Sequence, residues 1–219
     1  MIKIRQEYGF SILLTIIYSL PKLSLNNTNL EILQKTKLLG VILADNLKWD
    51  QNTNEIVKKA YSRMELLRKV ANFTNSTKEL RDIYTLYVRS ILEQSCVVWH
   101  SSLTEENKQN LERVQKCAVK IMQGKKYKDY ESALEHVDLD NLSERRNKLC
   151  LKFAKKCLEN KKTENLFPLN KNIHNMESRM TEKFKVKFAH TERLKQSSIP
   201  YMQRLLNNDI NKLKPRLPG

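Results

Sequence analysis

Between Leu80 and Cys96, nine positions recur every three or four residues: Leu80, Ile83, Tyr84, Tyr87, Val88, Ile91, Leu92, Ser95 and Cys96. That is the period of one helix face. The face covers about half the circumference, too much for a helix lying on a surface, so this segment predicts the buried centre of a helical bundle. Val97-Val98-Trp99 extends it into a deep contact.

The flanking sequence supplies the partners. Ile56, Ala60, Met64, Leu67 and Ala71 repeat at the same period, giving an amphipathic helix over Gln51–Val70. Phe73-Thr74-Asn75 breaks it, and Ser76-Thr77-Lys78-Glu79 reads as a capping box. Thr104 caps the next helix, with Leu111, Val114, Cys117, Ala118, Ile121 and Met122 facing inward and Gly124 closing it. Lys125-Lys126-Tyr127-Lys128 follows as a basic loop, then a short helix over Tyr130–Val137. Asn141 with Glu144 opens another, whose core face is Leu142, Leu149, Cys150, Phe153, Ala154, Cys157 and Leu158. Ser198 starts a last helix through Leu205, Leu206, Ile210 and Leu213, with Pro200 in its first turn. Four glycines and five prolines in 219 residues agree with a mainly helical chain.

Upstream the period changes. Leu23, Leu25, Leu30 and Ile32 surround Asn26-Asn27-Thr28-Asn29, a hairpin-loop composition. Lys37–Asp50 holds the run Leu38-Leu39-Gly40-Val41-Ile42-Leu43, read as a buried strand with Gly40 at a close approach or bend. Asp45-Asn46 turns it, and Trp49 precedes the first helix. About three strands are expected. The predicted organisation is an atypical apolar segment over 1–21, a β-element over 22–48, a helical bundle over 49–160 and a basic segment with a terminal helix over 161–219. In that last part Lys183–Phe188, KFKVKF, alternates as a strand or as a basic segment ordered on a nucleic acid.

Charge narrows the function classes. Forty Lys and Arg against 24 Asp and Glu leave a net +16 and a pI near 9.7, the electrostatic footprint of a binder of nucleic acid or another anionic surface. Cys96, Cys117, Cys150 and Cys157 lack a C-x-x-C spacing and fall at apolar helix positions, so buried free thiols and a reducing compartment are expected. Cys96 with His100, and Cys150 with Cys157 and His174, do not complete a zinc set. No P-loop, G-x-S-x-G or H-E-x-x-H is present, and no small-molecule substrate is evident. Phe10–Leu20 has the length of a signal-peptide core but is too short to span a bilayer and lacks a cleavage site before Pro21. An intracellular chain, nuclear or cytoplasmic, is expected, with no membrane association.

A series of motifs carries a resemblance. Leu39-Gly40-Val41, Trp49-Asp50, Ile83-Tyr84, Tyr87–Glu93, Val98-Trp99-His100, Leu111–Lys116, Leu142–Arg146 and Ser198–Tyr201 stand in one order from Leu30 to Leu213. The chain resembles the C-terminal part of the reverse transcriptase of non-LTR (LINE-type) retrotransposons: the end of the palm, the helical thumb and the following segment. The resemblance implies Leu39, Gly40, Val41, Trp49, Tyr84 and Trp99 as structural positions and a template–primer as ligand. It also implies a catalytic Asp-Asp turn holding Mg²⁺, and this chain contains no Asp-Asp pair. Asp45-Asn46 lies after the Leu-Gly-Val strand, on the wrong side for that role. The expectation is therefore a chain with no catalytic residues, no metal site and no cofactor, unable to polymerise alone, with a palm-containing polypeptide as a possible partner.

The residues expected at RNA or DNA are Lys58, Lys59 and Arg63; Lys116, Lys120, Lys125 and Lys126; and Arg145, Arg146, Lys148 and Lys152. Arg145-Arg146 is favoured because it coincides with a family motif, with pairing to acids inside the bundle as the alternative. Tyr127 and Tyr130 are the stacking candidates, whereas Tyr84, Tyr87 and Trp99 fit core packing. The competing readings are a decayed or non-enzymatic helical scaffold and, third, a secreted glycoprotein using sequons such as Asn72 and Asn75. A clustered positive face favours binding, and an even spread of charge favours a scaffold.

Overall fold

The architecture comes from a computed structural model, which describes residues 24–26, 28–29, 33–169, 183–186 and 188–213. The chain divides into two units, Met1–Thr36 and Lys37–Gly219. In the first, β1 (Ser24–Leu25) pairs antiparallel with β2 (Thr28–Asn29), Leu25 opposite Thr28. Asn26 turns the chain with φ 51°, a left-handed conformation that asparagine tolerates. Thr28 and Asn29 thus belong to a strand and not to the loop. The apolar segment over 1–21, Leu23, Leu30, Ile32 and residues 170–182 lie outside the described residues.

Leu38–Leu43 is a hairpin rather than one buried strand. β3 (Lys35–Leu38) is exposed throughout, and β4 (Val41–Ala44) buries Val41 and Ala44. Leu39 and Gly40 both have positive φ, 49° and 87°, the signature of a two-residue type I′ turn. Glycine enters that region freely, while Leu39 does so at a cost of about 1–2 kcal/mol and stays 89% exposed. Gly40 does mark a close approach, since a Cβ there would sit 2.7 Å from Gln94 Nε2. The Ile42 amide donates to Asn52 Oδ1 at 3.0 Å, docking the hairpin on the first helix.

That helix, α1 (Asp50–Ala71), buries Ile56, Ala60, Met64 and Leu67. α2 (Thr77–Ile83) runs through a π-helical stretch, Tyr84–Arg89, into α3 (Ser90–Glu93). Leu80, Tyr84, Val88 and Leu92, every fourth residue, are buried. Four residues overshoot one α-helical turn by about 40°, so an α-helix would carry this row around its side. The wider π turns hold it on one face, and Leu86 and Tyr87 are left exposed. Ser95 then takes a left-handed conformation, φ 51°, so α4 (Cys96–Trp99) is a separate segment and not the continuation expected. The capping box is also only half made. Ser76 Oγ accepts from the Glu79 amide at 3.4 Å, but Thr74 takes up both the Glu79 carboxylate and the Ser76 amide.

α5 (Glu105–Gln123), α6 (Tyr130–Val137) and α7 (Leu142–Glu159) begin at Thr104, Asp129 and Asn141, whose side chains each accept an amide of the first turn. Gly124, φ 52°, ends α5. α8 (Glu192–Lys195) and α9 (Ser198–Leu213) complete the described helices. A larger core gathers α1, the π stretch, α5, α6 and Trp99; a smaller one joins Cys150, Ala154, Cys157 and Phe167 to Phe184, Met202 and Leu206. Within Lys183–Phe188, Phe184 forms an isolated antiparallel bridge with Leu169, and its amide and carbonyl both bond the Asn207 side chain. The fold is mainly α with small N-terminal β-hairpins. Among the described residues no helix is long and apolar enough to cross a membrane.

Candidate nucleic-acid interface

α1 and α5 lie side by side and run the same way, Asn107 donating to Asp50 at 2.7 Å near their starts and Tyr61 Oη meeting Cys117 Sγ at 3.9 Å midway. The inner face of α5 is fixed by a polar network. Tyr84 donates to Gln115 Oε1 at 2.7 Å, and Gln115 Nε2 donates to Tyr130 Oη at 3.1 Å and to the Asp140 carbonyl at 2.9 Å. Tyr130 donates to Glu112, which also accepts the Leu142 amide at 3.1 Å. Burial and the Glu112 carboxylate push the Tyr130 phenol far above its usual range, so it stays a neutral donor. Burial does the same to Tyr84.

Glu112 is thereby committed inward, and the outer face of α5 is cationic. Arg113, Lys116 and Lys120 are exposed at spacings of three and four, one stripe of a helix. It covers about 10 Å along the axis, roughly the rise of three base steps of duplex DNA. Lys116 Nζ lies 5.7 Å from the Tyr130 ring centroid and Lys120 Nζ 5.2 Å from that of Tyr127, within cation–π range. The two tyrosines therefore seat lysines, and Tyr130 starts α6 as expected. Lys125 and Lys126 follow in the 3-10 turn Gly124–Lys126, and Lys128 comes after them, all exposed. Arg113 bonds only Asn110, at 2.9 Å. Among the described residues, none of these six cations has a carboxylate within 4 Å. Arg113 was missed from the sequence, although its spacing to Lys116 and Lys120 was there to be read.

The other two expected patches fare differently. On α1, Lys58, Lys59 and Arg63 are all exposed, and Lys59 is paired with Glu55 at 3.3 Å.

On α7 the favoured pair is turned into the bundle. Arg146 is fully buried and is a correction to the expected interface, since no ligand can reach it. Its Nε donates to His100 Nδ1 at 3.1 Å, its guanidinium lies 5.8 Å from the Trp99 ring, and Nη1 and Nη2 find no acceptor. The reason lies in the spacing: Leu142, Arg146, Cys150 and Ala154 recur every fourth residue and are all buried. Phe153, expected on that face, is 42% exposed. Arg145 pairs with Glu93 at 3.1 Å, which also meets Arg89 at 3.5 Å, and Lys148 pairs with Asp140 at 2.7 Å. Lys152 is exposed and, among the described residues, without an ion pair.

His100 is satisfied on both nitrogens, with Nε2 2.9 Å from Asn147 Oδ1. Because Arg146 donates to Nδ1, the ring is neutral with its proton on Nε2. Burial, with Arg146 adding to it, lowers its pKa to about 4. Among the described residues no group of three or more His, Cys, Asp and Glu is placed to hold a metal ion. Asp45 and Asn46 cap their own turn, accepting the amides of Asn46 and Lys48 at 2.7 and 2.9 Å. Trp49 lines a cleft of about 730 Å³ at the starts of α1, α5 and α9, where Lys48, Lys108 and Arg193 are matched by Asp50, Glu105 and Glu192.

No family model, curated protein or solved structure matches the chain. What it binds is argued from its own residues.

Proposed function

We propose that this chain grips an RNA or DNA duplex, such as a template–primer, in a sequence-tolerant way and does not polymerise on its own. The observation that carries the reading is the α5 stripe with the turn after it: Arg113, Lys116, Lys120, Lys125 and Lys126 are all exposed, and none is ion-paired among the described residues. Uncompensated cations at helical spacing favour phosphates, whose neutralisation releases condensed counterions and makes binding steeply salt-dependent. The resemblance to a non-LTR reverse transcriptase thumb agrees with this role, and the absence of an Asp-Asp pair leaves the chain without that family's Mg²⁺ ligands. A palm-containing polypeptide would have to supply them, in a nuclear or cytoplasmic setting.

The test is binding of the full chain to an RNA–DNA hybrid, titrated from low to physiological salt. A dissociation constant in the micromolar range or tighter at low salt, weakening steeply as salt rises, supports the proposal. A folded chain that fails to bind at low salt overturns it and leaves the helical scaffold.

A further inference from the structure

The two phenylalanines of Lys183–Phe188 meet opposite fates. Phe184 is 4% exposed and belongs to the smaller core, and the Asn207 side chain bonds its amide and its carbonyl at 2.9 and 3.0 Å. The next amide, that of Lys185, donates to the Pro168 carbonyl at 2.9 Å. This end of the segment is therefore seated on α9 and on the chain before Leu169. Four residues further on, Phe188 is 76% exposed. Its ring stands at right angles to that of His190, with centroids 4.8 Å apart. One exposed ring is ordinary by itself. Its surroundings are not. From Lys183 to Gln196 the sequence carries five Lys and Arg against one acid, Glu192. Glu192 is taken by Lys195 at 3.0 Å. Lys183, Lys185 and Arg193 are exposed, and among the described residues none of them has a carboxylate within 4 Å.

We propose that this segment is a stacking platform for single-stranded RNA or DNA, with Phe188 taking an unpaired base and Lys183, Lys185 and Arg193 taking phosphates. An unpaired strand is the partner that offers both a flat base and a chain of charge. In a duplex the base faces are stacked on one another, so a ring beside it finds none to cover. A lipid surface binds through a broad apolar face, which one ring does not supply, whereas one stacked base already counts. Because Asn207 fixes Phe184, Lys183 and Lys185 start from a held backbone, which lowers the ordering cost of binding. The platform uses none of the α5 cations, and the inference does not depend on the duplex grip.

The test measures binding of the full chain to labelled oligo(U) and oligo(dT), and to an RNA–DNA hybrid, by fluorescence anisotropy. Phe188→Ala is expected to weaken single-strand binding by about five- to a hundredfold, the span of one lost base stack, and to leave hybrid binding within about twofold. Phe188→Trp restores the single-strand affinity. Lys183→Gln/Lys185→Gln lowers the salt slope on oligo(U) by roughly 1.4, at about 0.7 per phosphate contact. Phe73→Ala, which trims another exposed ring, changes neither affinity. A chain that binds oligo(U) through Phe188 and fails on the hybrid supports this inference while overturning the duplex grip. Oligo(U) binding that Phe188→Ala leaves unchanged, or weakens no more than hybrid binding, overturns the inference. Phe188-dependent capture by phosphatidylserine vesicles in place of oligo(U) overturns it too, and assigns the ring to a lipid surface.

Discussion

α5 and α7 are both rich in basic residues and use them differently. On α7, Arg145, Arg146 and Lys148 are held by Glu93, by His100 with Trp99, and by Asp140. On α5, Arg113, Lys116 and Lys120 point outward and meet only Asn110 and two tyrosine rings. The distinction comes from phase, not composition. Arg146 falls in step with Leu142, Cys150 and Ala154, whereas the α5 cations fall between Leu111, Val114, Ala118 and Met122. A count of positive residues measures what a chain carries, and the phase against the apolar row measures what it can offer.

If α7's arginine is a core residue, the largest effect is on stability. Arg146→Ala removes a large buried side chain and leaves His100 without its donor, costing about 3 kcal/mol in chemical denaturation. Arg146→Met keeps the volume and removes an incompletely bonded buried charge, so it stays within about 1 kcal/mol of wild type or above it. An equal loss in both would contradict the assignment of Arg146 as an incompletely hydrogen-bonded buried cation. The same cluster sets a pH dependence. His100 has a folded pKa near 4 against about 6.5 unfolded, so the unfolded chain binds the extra proton between those values. Its contribution is complete above pH 6.5 and is lost progressively as pH falls towards 4; His100→Gln flattens denaturation midpoints over that window.

Smaller effects separate the two helices further. Tyr84→Phe strips Gln115 of a donor in the network behind α5 and costs about 1–2 kcal/mol, read from urea midpoints. Arg145→Gln breaks a half-exposed pair with Glu93 and shifts stability by less than about 1 kcal/mol, and duplex affinity is unchanged in a filter-binding assay. A loss of binding there would return the interface to α7.

The helices were legible because their apolar periods are long and their caps are ordinary: Thr104, Asn141 and Gly124 act as their residue types require. The π stretch was visible too, in the strict fours of Leu80, Tyr84, Val88 and Leu92, though a period of three to four absorbs that spacing. Leu38–Leu43 misled because a type I′ turn at Leu39-Gly40 hides inside an apolar run, where leucine is a poor occupant of positive φ. Of the expected interface, Lys116, Lys120, Lys125 and Lys126 are exposed. Arg146 was misplaced because its step with Leu142, Cys150 and Ala154 was passed over, while its partners Trp99 and His100, the latter forty-six residues away, are not visible in the sequence around it.

The most direct measurement is the slope of log K against log salt for RNA–DNA hybrid binding. Wild type would be compared with Arg113→Gln/Lys116→Gln/Lys120→Gln and with Lys148→Gln/Lys152→Gln. The account predicts that the α5 triple variant loses roughly 2 to 3 units of slope, close to 0.9 per phosphate contact removed, and binds at least tenfold more weakly. The α7 variant should match wild type. Equal slopes for the wild type and the α5 variant, in chains of equal stability, would contradict it.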